Sequence, residues 1–170
     1  MRRTTFTALA IALVALPAHA ARFQFCWVGN SGYTMEGIIE VPGNLLNTGI
    51  ITEQDVSAFF IQGYHDGVPI GAWNMRQRTT ETTWTLFFDT TNLEFPMGGH
   101  FLEQSYQAWN ANGEVNDCGP NGFGFNGGNW AQDVCIDNVW IAASSIDPDT
   151  PLPVFGMDTE MSCQSVVPLS

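Results

Sequence analysis

Four cysteines, a scatter of aspartates and a tryptophan in a glycine-rich loop are the side chains whose types and spacing could do chemistry. Cys26, Cys118, Cys135 and Cys163 lie far apart, without the C-x-x-C or H-x-x-x-H spacing of a zinc site. An even number of such residues pairs into two disulfides in an oxidising compartment. Three pairings exist, and the favoured one joins Cys118 to Cys135 across a glycine-rich loop and Cys26 to Cys163, tying the first strand to the tail. Asp133, Asp137, Asp147 and Asp149, with Asn138 among them, bring hard oxygen ligands into one region, and calcium is the ion that such ligands would take. No EF-hand loop or glycine-aspartate nonapeptide repeat accompanies them, and chance acidity explains the cluster equally well. Trp130, beside Phe123 and Phe125 in the Cys118–Cys135 loop, is the aromatic group best placed to stack on a sugar ring. The competing reading is that these aromatics fold back over the edge of the core.

Other patterns carry less. Gly122-Phe123-Gly124-Phe125-Asn126-Gly127 matches G-x-G-x-x-G, and Asp147 follows about 20 residues on, the offset of a ribose-binding acid. That fingerprint needs a strand before it and a helix after it to hold a pyrophosphate, whereas here Asp117-Cys118-Gly119-Pro120 precedes and a strand follows. The match is read as coincidence, and no cofactor other than calcium is expected. Gly29-Asn30-Ser31-Gly32 misses the G-x-S-x-G elbow by one residue, and His65 and His100, the histidines available as a base after signal removal, both adjoin turns. Glu36 and Glu40 fall on one strand face four residues apart, which at ~3.4 Å per residue places them roughly 14 Å from each other. Paired glycosidase carboxylates stand about 5 to 9.5 Å apart, so these two read as a solvated face.

The elements that must position these groups are strands. Phe23, Phe25 and Trp27 alternate with Gln24, Cys26 and Val28, and from Tyr33 to Val41 the apolar residues keep the odd positions, the period of a half-buried strand. Pro42-Gly43-Asn44 breaks that run, and Thr52 with Asp55 caps a single turn before an apolar strand from Val56 to Tyr64. Asp66-Gly67 reads as a hairpin turn into a strand from Val68 toward Met75. Trp84, Leu86 and Phe88 share one face of a further strand. Ser105–Trp109 and Cys135–Ala143 are two more, with a Gly/Asn loop over Cys118–Asn129 between them. Short strands and frequent turns imply an all-β fold, a single antiparallel sandwich or flattened barrel stabilised by disulfides.

Compartment comes from the first residues. Arg2 and Arg3, the apolar stretch Phe6–Leu16 and the small-x-small triplet Ala18-His19-Ala20 have the layout of a removable export signal over residues 1–20. The β domain is then expected over 21–146, and a proline-containing tail, tethered by Cys163, over 147–170. The apolar stretch falls short of the roughly 20 residues of a membrane span, so no membrane insertion is expected after cleavage. The chain has no lysine, and without the signal it keeps three arginines against 17 acidic residues, a formal charge of −14. Binding to phosphates needs clustered cations, so nucleic acid and anionic lipid are excluded as partners.

Tyr33-Thr34-Met35-Glu36-Gly37, Ile51-Thr52-Glu53-Gln54-Asp55-Val56-Ser57-Ala58-Phe59 and Phe88-Asp89-Thr90-Thr91 together resemble the exported β-rich domains of bacterial PEP-CTERM-type proteins. The resemblance covers roughly residues 33 to 95. It implies an envelope or matrix component of a Gram-negative bacterium that makes exopolysaccharide, with no catalytic residues to carry over. Those proteins end in a proline motif, an apolar helix and an arginine cluster, whereas this sequence reads Val167-Pro168-Leu169-Ser170, so a free periplasmic or extracellular protein is expected. The function expected is non-catalytic, a polysaccharide or surface interaction. The alternative is a secreted hydrolase whose site is built from scattered acids and histidines.

Overall fold

A computed structural model describes residues 19–161 and 163. Residues 1–18 of the signal read over 1–20, with residue 162 and the end of the tail from residue 164, lie outside the described residues. The chain forms thirteen strands among the described residues. They are β1 (Ala20–Val28), β2 (Tyr33–Pro42), β3 (Ile50–Thr52), β4 (Ala58–His65), β5 (Val68–Asn74), β6 (Trp84–Thr85) and β7 (Phe87–Asp89). The others are β8 (Glu94–Phe95), β9 (Gln107–Trp109), β10 (Phe123–Gly127), β11 (Gln132–Ile136), β12 (Val139–Trp140) and β13 (Leu152–Gly156). Every pairing is antiparallel. Eight strands curl into half a barrel in the order β3-β7-β8-β13-β1-β2-β4-β5, and five make a second sheet in the order β12-β11-β10-β9-β6. The all-β, antiparallel, disulfide-stabilised fold read from the sequence is the one observed.

Alternation builds the large sheet as expected. In β2, Met35, Gly37, Ile39 and Val41 are buried and the residues between them are half-exposed, and β4 repeats the pattern with Phe59, Ile61 and Gly63. Asp66 and Gly67 both take positive φ, 50° and 77°, the backbone of a two-residue type I′ hairpin turn. The inner faces of the two sheets meet in an aromatic core. Trp109 is fully buried with ring centroids 4.8 Å from Phe59, 4.8 Å from Phe125, 4.9 Å from Phe95 and 5.5 Å from Phe25, mostly edge-to-face as ring quadrupoles prefer. Trp27 packs edge-on to Phe125 and donates its Nε1 proton to Gln132 Oε1 at 3.0 Å.

Four segments differ from the expectation. The Cys118–Asn129 stretch holds β10, paired with β9 on one side and β11 on the other, and its Phe123 and Phe125 are fully buried. Glycines admit Phe123 to the core: a Cβ at Gly63 would lie 2.2 Å from its Cε2, and one at Gly71 2.8 Å from its Cβ. The run Cys135–Ala143 is not one strand but a hairpin, because Asp137 and Asn138, with φ of 53° and 61°, turn β11 back into β12. These are residue types that tolerate the left-handed region.

The supposed tail is the third, since β13 lies between β8 and β1 inside the large sheet and carries the β domain past residue 146. Leu152 and Val154 point inward while Pro153 and Phe155 are exposed. Pro153 pairs with β8, and the β1 ladder starts only at Val154, so the residue lacking an N–H falls where the β1 ladder is absent. The Trp84–Phe88 face is also divided, with Trp84 and Thr85 in the small sheet and Phe87 and Phe88 in the large one. The buried Gln107 side chain bridges the switch, accepting from Phe87 N at 3.1 Å and donating to Phe87 O at 2.9 Å and Pro96 O at 2.8 Å.

The disulfides are Cys26–Cys163, with Cα atoms 5.3 Å apart, and Cys118–Cys135, at 6.0 Å. The second ties the loop before β10 to β11 and encloses a small cluster with Ala111 and Val115.

Candidate functional site

Asn126 and Asp133, opposite each other on β10 and β11, and the turns and strand ends around them line an open cleft of about 750 Å³. The Gly128–Ala131 turn joins β10 to β11 through a hydrogen bond from Gly128 N to Ala131 O and holds Trp130 at its tip, 89% exposed. Trp140, half-exposed on β12, forms another part of the wall. Phe101, from the segment before β9, packs its ring edge-on to Tyr106 at 5.6 Å, and Tyr106 Oη accepts from Asn126 Nδ2 at 3.0 Å. Thr83, Asn112, Glu114 and Asn129 add polar groups to the lining. Burial raises the pKa of Tyr106 above the ordinary phenol value, with the Asp117 charge adding to it and the Asn126 hydrogen bond opposing.

Asp133 is the buried acid of this lining, 4% exposed. Its Oδ2 accepts from Trp140 Nε1 at 2.9 Å and from Ser145 Oγ at 3.1 Å, and its Oδ1 is buried without a hydrogen-bond partner. An unmet buried acceptor costs about 1–3 kcal/mol. Desolvation therefore raises the carboxyl pKa above the ordinary aspartate value, against the lowering effect of the two hydrogen bonds.

A carboxyl raised on folding binds its proton more tightly in the native state. Its contribution favours the fold below the ordinary aspartate pKa and is lost as pH rises through the raised value. Asp133→Asn removes that loss. The melting temperature of the variant minus that of the wild type is expected to grow as pH climbs from the acid side of the carboxylate range to neutrality. A difference that stays flat in pH-dependent melting curves would show that Asp133 ionises in the fold without penalty.

The structure treats the residues expected from the sequence unequally. Trp130 is exposed as the stacking reading requires, whereas Phe123 and Phe125 belong to the core and cannot touch a ligand at the surface. The four aspartates are not brought together as a calcium site. Among the described residues no group of three or more His, Cys, Asp or Glu side chains is placed to hold a metal ion. Each is engaged locally instead. Asp133 holds Trp140 and Ser145, and Asp137 Oδ1 accepts from Asn121 N at 2.9 Å across the hairpin. Asp147 Oδ1 accepts from Asp149 N at 2.9 Å in a turn, and Asp149 stands against Gly98.

G-x-G-x-x-G lies along β10 and its approach, a strand hydrogen-bonded on both sides, and so offers no helix start to a phosphate. His65 stacks on Tyr33 at 4.2 Å with Nε2 3.7 Å from Asp66, and His100 Nδ1 sits 3.4 Å from Glu103; neither lines the cleft. Trp140, Phe101 and Tyr106 were missed from sequence. The available signal was Asp137-Asn138, a pair suited to a type I′ turn, which ends β11 early and turns Trp140 onto an exposed edge.

No protein-family model matches the chain, and no characterised protein or solved structure matches it either.

Proposed function

We propose that the protein is an exported, non-catalytic component of the bacterial envelope or extracellular matrix that binds polysaccharide in this cleft. The observation that carries the reading is Trp130, an indole 89% exposed at the rim of an open cleft that also presents Trp140, Phe101 and hydrogen-bonding groups. Exposing an indole to water is unfavourable unless something covers it, and sugar rings offer a C–H face to stack on a flat aromatic with hydroxyls left over for polar neighbours. The rest of the molecule suits the setting. Two disulfides fit an oxidising compartment outside the cytoplasm, and the signal-like residues 1–20 supply the route there. A periplasmic and an extracellular address agree equally with both.

Trp130→Ala is expected to weaken binding to a recognised glycan by about 2 kcal/mol, roughly thirtyfold, while the melting temperature stays unchanged because the side chain packs against little. A glycan array followed by calorimetric titration with the best binder measures both. Binding undiminished in the variant would remove Trp130 and the cleft from the proposal.

A further inference from the structure

Resting on the reading of the cleft as a polysaccharide site, we propose that it selects amino sugars carrying a free, protonated amine over acetylated or anionic ones. The inference begins with Asp133, whose Oδ1 is buried without a hydrogen-bond donor while Oδ2 already serves Trp140 and Ser145. No donor of the protein reaches that oxygen, which leaves it open to one supplied by a ligand. An ammonium brings three donors and a compensating charge, whereas a hydroxyl brings one donor and an N-acetyl group one N–H without charge.

The surroundings argue in the same direction. Glu114 is a second carboxylate of the lining, and no arginine or histidine belongs to it. The three arginines among the described residues are placed elsewhere. Arg78 lies over the Trp84 ring at 5.8 Å, and Arg22 and Arg76 lie together at a different surface hollow beside β4. The cleft thus holds two acids and nothing of its own to neutralise them, on a chain of formal charge −12, and a uronic acid would be repelled there. Indole faces attract a cation more strongly than other aromatic rings do, and Trp130 and Trp140 supply two. Trp140, on a two-residue edge strand paired on one side only, is held to Asp133 by its Nε1, and in this proposal it moves aside to admit a donor to Oδ1.

Three oligosaccharides of equal length test the selectivity by calorimetric titration at a pH that keeps the amine protonated: oligoglucosamine, its fully N-acetylated counterpart and oligogalacturonate. Oligoglucosamine is expected to bind at least about tenfold tighter than the acetylated oligomer, with the uronate weakest. The preference is expected to shrink with added salt, in Asp133→Asn, and to a smaller degree in Glu114→Gln. Glu114 is exposed, so the second substitution does not depend on how the fold tolerates the first. Equal affinity for the amine and acetylated forms, both lost in Trp130→Ala, would overturn the selectivity and leave the stacking cleft standing. A preference unchanged in both acid variants, or tightest binding of the uronate, would overturn it too. No binding of any of the three, with an empty glycan array, would remove the polysaccharide reading along with it.

Discussion

Trp109→Ala is expected to remove about 3–5 kcal/mol of stability. Trp109 is fully buried and touches four other aromatic rings from both sheets, Phe25, Phe59, Phe95 and Phe125. Those rings are held by strands on every side and cannot close around the space left behind, so the cavity penalty adds to the lost transfer energy. Against a typical total of about 5–15 kcal/mol, the variant sits near the edge of folding. Urea denaturation followed by near-ultraviolet circular dichroism measures the loss directly. A value below about 1 kcal/mol would mean that the two sheets slide together to refill the site and that this aromatic cluster does not hold them in register.

Replacing Cys26 and Cys163 together by alanine is expected to cost roughly 5 kcal/mol by chain entropy, against roughly 3 for the Cys118 and Cys135 pair. The difference follows from sequence separations of 137 and 17 residues, since the longer loop restrains the unfolded chain more. The first replacement also frees the segment after β13, so amide protons of Val154–Gly156 should exchange faster than those of β2 in the same variant. Denaturation midpoints of the two double variants and hydrogen exchange of the first decide this. Equal losses, or a larger one for the short loop, would show that native packing outweighs loop closure here, as the buried cluster of Ala111, Val115, Cys118 and Cys135 would then imply.

Legibility in the sequence followed the strength of local patterning. β1 and β2 are readable because each alternates over seven or more residues, β4 because it is an apolar run, and β5 because Asp66-Gly67 turns the chain back beside β4. Strand β10 was not, because Phe123-Gly124-Phe125-Asn126-Gly127 is buried on both faces and its glycines, which look like loop chemistry, exist to bring backbones close. Gly124 is one such case, where a Cβ would stand 2.1 Å from Asn110 O. Strand β13 was hidden by its prolines, although Leu152 and Val154 keep the period of two.

The candidate site is legible in the sequence in Trp130 and, under a different chemistry, in Asp133. Its other members come from segments as far apart as Thr83 and Trp140, with Phe101, Tyr106 and Asn126 between, and what unites them is the pairing of β9, β10, β11 and β12 side by side, which no local pattern announces. The acidic stretch misled for a related reason. Its aspartates offer hard ligands by type alone, whereas three of the four, Asp133, Asp137 and Asp147, accept hydrogen bonds from their own neighbourhood.

The position of β13 between β8 and β1 also sets an order of assembly. A chain made from its N-terminus has β1, β2, β4 and β5 in hand early, each next to a sequence neighbour, so this meander can form from local contacts. The free side of β1 must wait for residues 154–156, more than a hundred positions later. Until they arrive, the half-barrel has a gap in its middle and β1 presents an unpaired edge, the kind of surface that recruits other chains. Joining the first strand to the last makes the contacts long in sequence, which slows closure. The vulnerable interval for this protein is therefore the time between the appearance of β1 and the seating of β13.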